Sequence, residues 1–302
     1  MSIISKIVAA AIPVIPKFIV GYFARPYIAG ESLDDGVKTV AELNAKGILA
    51  TMDVLGEGVN TREECLFMRG QCEQVLHAIQ EHGLDSNLSI KPTQMGLSVD
   101  EAFCEENLRV LLDIAKEYGN FVRMDMEDHP YTDSTLHIYK RLRRDYPANV
   151  GVVLQSYLRR TENDLKDLVE DGDTNVRLCK GIYVEPEEIA YKTRIEIQDS
   201  FKRSIEYGLA NNVYFGIATH DDVLIDHAIS AVERHGKTRE QYEFQMLLGV
   251  RHKRRDEIVA QGHRLRVYVP FGDQWYPYST RRLKENPSMA MHIVKAIFGI
   301  NQ

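Results

Sequence analysis

The sequence lacks several features that would assign a protein to a class at once. Its four cysteines include no CxxC pair or other metal-ligand spacing, which predicts free thiols in a reducing compartment. Basic residues are not in excess: the formal net charge of −7 argues against a nucleic-acid partner, because phosphate binding needs a basic surface. A GxGxxG sequence is also missing, so nothing indicates a Rossmann dinucleotide fold.

Long apolar runs are absent as well. Residues 3–20 are strongly apolar but are interrupted by Lys6, Pro13, Pro16 and Lys17, and the unbroken run 7–16 is shorter than the roughly 20 residues that cross a bilayer. We interpret this segment as a docking helix, with peripheral contact to the inner membrane as the second option and a signal peptide as a weaker third. The protein is otherwise expected in the cytoplasm.

What the sequence does contain is one repeated unit, a short β-rich run followed by an amphipathic helical stretch. The 302 residues are 44% hydrophobic, enough for a large core. The predicted strands are residues 47–53, 88–91, 121–125, 150–155, 176–180, 213–219, 242–247 and 265–270. Helix-opening signals stand between them, as at residues 98–101 and at Thr161.

Eight such units predict an α/β fold, a (β/α)8 TIM-type barrel with a parallel sheet. No linker rich in glycine, proline or serine divides the chain. We therefore expect one catalytic barrel domain over residues 41–302, preceded by a helical extension over residues 1–40.

Polar residues stand at or near the ends of most predicted strands. They are Lys91, Asp125, Gln155, Lys180, Thr219, His220, Gln245 and Tyr268. The C-terminal ends of barrel strands meet at one mouth, where barrel enzymes hold their active sites. Each residue alone fits a helix cap or a satisfied core group equally well, but the set as a whole indicates an active site.

Arg177 is unusual because it lies inside an otherwise apolar predicted strand. A buried arginine is costly unless it meets an anion or an electron-rich ligand. An ion pair with Asp125 is the structural alternative to a ligand-binding role.

Two other chemistries remain open on the residues alone. Residues 125–129 contain two aspartates, a glutamate and a histidine, yet metal-dependent barrels use histidines from several strands, and only His220 is otherwise well placed. Lys91 or Lys180 could form a Schiff base, as in an aldolase, which would require a neighbouring base. We expect neither a metal nor a Schiff base.

A helix is predicted after the last strand, from Tyr278 to Glu285. Tyr278, Arg281 and Glu285 fall on one face of it, with Arg282 one step around. Two guanidinium groups at the barrel mouth would hold a carboxylate through charge-assisted hydrogen bonds. The alternative is an exposed, charged helix.

Taken in order, these motifs resemble the monofunctional bacterial proline dehydrogenase family. The resemblance runs from about residue 47 to residue 285. It rests on Lys91 and on residues 123–127, 154–157, 176–183, 218–221, 243–245, 268–272 and 278–282. The ordered set, ending in the paired arginines, is far more specific than any one motif.

The resemblance implies a distorted barrel that binds FAD non-covalently, oxidises L-proline to Δ1-pyrroline-5-carboxylate in proline catabolism, and passes the electrons to a quinone. It implies two catalytic residues, Asp125 and Arg177, the latter near the flavin. The implied substrate-binding residues are Lys91, Leu247, Tyr268, Tyr278, Arg281 and Arg282. The implied cofactor-binding residues are Met126, Gln155, Arg177, Lys180, Gly181, Ile182, Thr219, His220, Gln245 and Glu285.

Two positions depart from the family pattern, Val184 in place of a frequent tryptophan and Asp221 in place of an asparagine found in some members. Two alternative functions stay open at this point. One is another flavin barrel, similar to methylenetetrahydrofolate reductase, and the other is a non-enzymatic binding barrel docked on a membrane.

Overall fold

The structure, a computed structural model, describes Gly21 and residues 25–56, 59–172, 174–276 and 278–280. Eight strands in this part of the chain form a closed parallel barrel in sequence order. They are β1 (Leu49–Val54), β2 (Ser86–Ile90), β3 (Val122–Met124), β4 (Val150–Gln155), β5 (Asn175–Cys179), β6 (Tyr214–Ala218), β7 (Tyr242–Leu247) and β8 (Leu265–Phe271). Each predicted strand overlaps an observed one, with ends that differ by at most two residues, so the predicted (β/α)8 fold is confirmed.

Helices alternate with the strands. A 3-10 helix (Arg25–Tyr27) and α1 (Leu33–Asn44) precede β1. The others are α2 (Arg62–Glu81), α3 (Glu101–Glu117), α4 (His129–Asp145), α5 (Thr161–Glu170), α6 (Arg194–Ala210), α7 (Asp222–Arg234) and α8 (His252–Ala260). The helix predicted to open near residue 98 begins where Asp100 accepts a hydrogen bond from the Phe103 amide at 2.7 Å.

The hydrophobic core lies mainly between the sheet and the helices. In β5, for example, Val176 and Leu178 are fully buried on the side that faces the helical layer. Side chains alternate along a strand, so Arg177 between them points to the barrel interior. The interior therefore holds polar and charged groups in place of the usual layers of branched apolar side chains.

Two glycines make room for these long interior side chains. Gly151 pairs with Arg123 across β3 and β4, and a Cβ at Gly151 would overlap the Arg123 guanidinium. A Cβ at Gly216 in β6 would likewise overlap the side-chain amide of Gln245 in β7. Both positions favour glycine because a neighbouring side chain occupies the space that a Cβ would need.

The predicted division of the chain at residue 40 falls within α1, which packs on β1 and β8. That division therefore remains a prediction. The apolar segment at residues 3–20 lies outside the described residues, and no described helix is both long and apolar enough to cross a membrane. The four cysteines are free thiols, as expected.

Candidate active site

Asp125, directly after β3, is the centre of a hydrogen-bonded cluster at the barrel mouth. One carboxylate oxygen accepts from Arg177 Nη1 at 2.6 Å and from Ser89 Oγ at 2.8 Å. The other accepts from the Tyr268 hydroxyl at 3.0 Å and lies 3.9 Å from Lys91 Nζ. Side chains from β2, β5 and β8, and Lys91 directly after β2, thus converge on the carboxylate that follows β3.

Arg177 is held on three sides. Its side chain is 8% exposed; Nη1 also donates to Ser89 Oγ at 3.2 Å, and Nε donates to Gln245 Oε1 at 2.6 Å. Its guanidinium carbon lies 5.4 Å from the centre of the Tyr268 ring, within reach of a cation–π contact. The ion pair with Asp125, considered as one explanation of this arginine, is confirmed.

Lys91 follows β2 and forms an ion pair with Asp53 of β1. Its Nζ lies 3.1 Å and 3.3 Å from the two Asp53 oxygens, and the Asp53 side chain is 1% exposed. Burial lowers the pKa of Lys91, but the charges of Asp53 and Asp125 outweigh that effect and the net shift is upward. A Schiff base requires a neutral amine, so this shift disfavours Lys91 as an aldolase nucleophile.

A second ionic cluster lies deeper in the barrel, toward the N-terminal ends of the strands. Glu243 accepts from Arg266 Nε at 2.6 Å and Nη2 at 3.0 Å, and from Gln245 Nε2 at 2.6 Å. Gln245 therefore connects this pair to Arg177. Burial raises the pKa of Glu243, but the neighbouring Arg266 cation outweighs this effect, and the pKa falls to about 2.

The residues after β3 and β4 form the next part of the rim. Met126 is buried, and Gln155 Nε2 donates to the Glu127 carbonyl at 2.8 Å. The Glu127 carboxylate accepts from the backbone and hydroxyl of Thr93 at 2.9 Å and 2.6 Å. These bonds tie the loop after β2 to the loop after β3.

The segment after β5 turns sharply at Gly181, where φ is +102° and a Cβ would overlap the Tyr157 ring. Only glycine combines that backbone conformation with that clearance. Ile182 beyond the turn is 40% exposed, and Val184 is fully exposed. The family's tryptophan position is thus a solvent-facing site in this chain.

Lys180 is anchored to Asp221, with Nζ 2.9 Å from Oδ2. Asp221 is the N-cap of α7 and also accepts from Arg194 and Gln198 at 3.0 Å and 2.9 Å. Burial raises its pKa, but these donors and the Lys180 charge bring the net shift well below the usual range. The aspartate at this position therefore carries an ion pair that an asparagine could not.

Thr219 and His220 lie between β6 and Asp221. Thr219 is buried and its hydroxyl accepts from the Asp221 amide at 3.2 Å. His220 Nε2 accepts from the Leu247 amide at 3.0 Å, which connects the ends of β6 and β7. An Nε2 that accepts implies that the neutral ring carries its proton on Nδ1.

The structure thus brings together Lys91, Asp125, Arg177, Gln245 and Tyr268. It places the remaining described candidates around the same rim, and Tyr278 is buried. Of the helix predicted from Tyr278 to Glu285, residues 278–280 are helical, and the rest of it, with Arg281, Arg282 and Glu285, lies outside the described residues.

Three residues of this site were missed by the sequence reasoning: Asp53, Ser89 and Glu127. Asp53 ends the first predicted strand, so the strand-end criterion that selected Lys91 applied to it equally. Ser89 has the same parity as Lys91 in β2 and therefore faces the interior. Nothing in the sequence singles out Glu127 as the partner of Thr93.

No group of three or more histidine, cysteine, aspartate or glutamate side chains with the geometry of a metal site occurs in the described part of the chain. His129, which belongs to the acidic segment 125–129, contacts the carboxylate of Glu185. That carboxylate accepts from the His129 backbone amide at 2.8 Å and contacts Nδ1 at 2.5 Å. Glu185 thereby pairs a backbone amide in the first turn of α4, where the N-cap residue Asp128 makes no capping hydrogen bond.

Known proteins resemble this chain over most of its length. The family described as proline dehydrogenase matches residues 36–294. Proline dehydrogenase 1 of Bacillus subtilis subsp. natto is 38% identical over 274 residues, 91% of this chain and 90% of that protein. Proline dehydrogenase of Deinococcus radiodurans is 35% identical over 278 residues, 91% of this chain and 89% of that one.

Among solved structures, proline utilization A of Bdellovibrio bacteriovorus inactivated by N-propargylglycine aligns with a TM-score of 0.81 at 24% identity. The alignment covers 88% of this chain and 32% of that longer protein. This likeness concerns the fold, and it agrees with the eight-stranded barrel.

Proposed function

The chain belongs to the proline dehydrogenase family of oxidoreductases, and from that premise we propose that it oxidises L-proline to Δ1-pyrroline-5-carboxylate with bound FAD as oxidant and a quinone as the later electron acceptor. The observation that carries the proposal is the cluster around Asp125. Two cations and a tyrosine, from three different strands, surround one carboxylate at the end of the barrel where barrel enzymes act.

The rim residues suit a flavin chemically. Arg177 and Lys180 are cations that would stabilise the extra negative charge of a reduced flavin, and Gln155 and Gln245 offer amide groups beside them. Lys180 is 37% exposed and Ile182 is 40% exposed, so this side of the mouth presents polar and apolar surface to a large ligand. We assign Met126, Gly181, Thr219 and His220 to the same surface.

The substrate would lie between this surface and the last strand. We propose that Lys91, Arg281 and Arg282 bind the proline carboxylate, and that Leu247, Tyr268 and Tyr278 enclose the ring. The charges of Asp53 and Asp125 raise the pKa of Lys91 and thereby favour its charged form, so it offers a fixed cation for the carboxylate. Glu285 is assigned to the arginine helix or to the cofactor.

The chemistry asks mainly for position. FAD, when bound, would supply the two-electron oxidant for removing hydride from the ring carbon that is bonded to nitrogen and does not carry the carboxylate. The chain must bind the ring with its amine deprotonated, so that the nitrogen lone pair assists, and must hold it in one orientation. Asp125 contributes by fixing Arg177, Tyr268 and Lys91 relative to one another, and a strong general base is not required.

One spectroscopic experiment tests the proposal. Purified protein should be yellow, and its flavin absorbance should bleach under anaerobic conditions when L-proline is added. D-proline and methylenetetrahydrofolate serve as comparison reductants. A protein that cannot be reconstituted with FAD, or one bleached by the folate and not by L-proline, contradicts the assignment.

The carboxylate role of Arg281 has its own test. Arg281→Met should raise KM for proline while FAD stays bound, because one charge-assisted hydrogen bond worth about 1.5–3 kcal/mol is lost. An unchanged KM would remove the arginine from the proposed carboxylate site. The quinone acceptor and the peripheral membrane contact of the N-terminal segment are tested by proline-dependent quinone reduction with and without vesicles. The proposed cytoplasmic location is tested separately, by cell fractionation.

A further inference from the structure

The least exposed carboxylate at the barrel mouth is Asp53. Its side chain is 1% exposed, and both of its oxygens face the Lys91 ammonium, at 3.1 Å and 3.3 Å. Within the described residues Lys91 is its one cationic partner within 4 Å. Burying a carboxylate this deeply costs desolvation free energy, which the ion pair with Lys91 offsets.

The strand register shows how the pair is built. Asp53 of β1 lies opposite Ser89 of β2, and Lys91 comes two residues later, on the same face and one step closer to the mouth. Asp53 therefore holds the ammonium from below. An ammonium has three N–H donors, so at least one donor of Lys91 is left for groups at its level or above it.

Asp125 cannot substitute for Asp53 in this role. Its nearer oxygen is 3.9 Å from Lys91, beyond normal hydrogen-bond length, and accepts from the Tyr268 hydroxyl at 3.0 Å. Its other oxygen accepts from Arg177 at 2.6 Å. The direct support of the ammonium comes from Asp53 alone among these groups.

We propose that Asp53 is a positioning residue, which keeps Lys91 charged and aimed at the barrel mouth so that the ammonium can meet the carboxylate of the substrate. This inference rests on the proposed function, since it assigns the Lys91 cation to proline. It adds a residue that touches neither substrate nor cofactor and acts through Lys91.

The charges that face Lys91 support this role. Asp53 comes from β1, Asp125 and Glu127 follow β3, Cys72 comes from α2 and Tyr183 from the loop after β5. Arg177 contacts Asp125, and Tyr268 contacts both Asp125 and Asp53. Burial raises the pKa of Asp53, and the charge of Lys91 opposes that rise, so each group helps to keep the other ionised. Without Asp53, the carboxylate within 4 Å of the buried ammonium would be Asp125, which is already paired with Arg177.

Asp53→Asn tests the role because it removes the charge and keeps the shape. We expect KM for proline to rise about tenfold at neutral pH, with a smaller change in kcat. A tenfold rise corresponds to the loss of one charge-assisted hydrogen bond, the one from the Lys91 ammonium to the proline carboxylate. The pKa of Lys91 should fall in this variant, so the ratio of variant to wild-type KM should grow further as the pH rises from about 7 to about 9. Using the ratio cancels the ionisation of proline itself.

Asp85→Asn is the matched control. Asp85 immediately precedes β2, at the opposite end of the barrel, and pairs with Asn44 through its backbone. The KM of the Asp85→Asn variant for proline, and the pH dependence of that KM, should match those of the wild type. If Asp53→Asn behaves like this control while the wild type is reduced by proline, the inference is wrong and the proposed function stands; a wild type that proline does not reduce overturns both.

A background without Lys91 covers the case in which Asp53→Asn does not fold. Lys91→Met should raise KM, and Lys91→Met/Asp53→Asn should show the same KM as Lys91→Met, because Asp53 acts only through the ammonium. The double variant has neither charge and therefore avoids a buried unpaired ion. A further large rise in KM in the double variant would refute the indirect role.

Discussion

Replacing Asp125 by asparagine should destabilise the barrel as well as inactivate it. The change keeps the side-chain shape but removes the counter-charge of Arg177, whose side chain is 8% exposed and lies 2.6 Å from the carboxylate. Breaking a buried ion pair from one side costs about 3–5 kcal/mol, since the other charge is left without compensation. Because Gln245 still accepts from Arg177 Nε, we expect a loss near the lower end, about 3 kcal/mol.

That loss corresponds to a fall in Tm of roughly 6–12 °C for a domain of this size. Differential scanning calorimetry and urea denaturation of the Asp125→Asn protein measure it, with Asp85→Asn as the control that removes one carboxylate elsewhere. The double variant Asp125→Asn/Arg177→Met removes the stranded cation too, and should recover at least half of the lost stability. If the single change costs under about 1 kcal/mol, or if the two changes simply add, the ion pair does not organise the site as argued.

Two further changes probe the barrel interior. Arg266 holds the pKa of Glu243 at about 2, below its value in the unfolded chain. Ionised Glu243 therefore adds about 3 kcal/mol to the free energy of unfolding above about pH 4.5, and this contribution is lost as the pH falls toward 2. Urea midpoints at about pH 6 and pH 3 should therefore fall less on acidification in Glu243→Gln than in the wild type; equal falls would exclude Glu243 as a source of acid sensitivity. Gly216→Ala should lower Tm and flavin content because its methyl group displaces the Gln245 amide, whereas Gly70→Ala, on an open helix surface, should be neutral or more stable by up to about 1 kcal/mol. Similar behaviour of the two alanine variants would rule out the clearance argument.

The fold was predictable because each strand of a parallel barrel is a short apolar run, and an amphipathic helical stretch follows it. The eight runs sufficed to place Lys91, Gln155 and Tyr268 at one mouth. The Arg177–Asp125 pair could also be anticipated, because an arginine inside an apolar strand needs an anionic partner and Asp125 stands at the end of a predicted strand.

The interior partners were not predictable from the same patterns. Period-two alternation tells which residues face inward, but the pairing across a closed barrel depends on its stagger, which the sequence does not display. Glu243 and Arg266 therefore look like ordinary polar strand residues, although they are 2% and 9% exposed and joined by two hydrogen bonds. Gly216 gives no sign that it makes room for Gln245.

The line of contacts from Asp125 through Arg177, Gln245 and Glu243 to Arg266 bears on how the barrel assembles. It joins β3, β5, β7 and β8, and Arg266 Nη1 completes it by donating to the Ala50 carbonyl of β1 at 2.6 Å. A half-barrel of β1–β4 would contain Asp125 without its arginine, and a half-barrel of β5–β8 would contain Arg177 without its aspartate. Each half keeps one ion pair of its own, Asp53–Lys91 in the first and Glu243–Arg266 in the second. The Asp125–Arg177 pair forms only on closure, and it ties the stability of each half to the presence of the other.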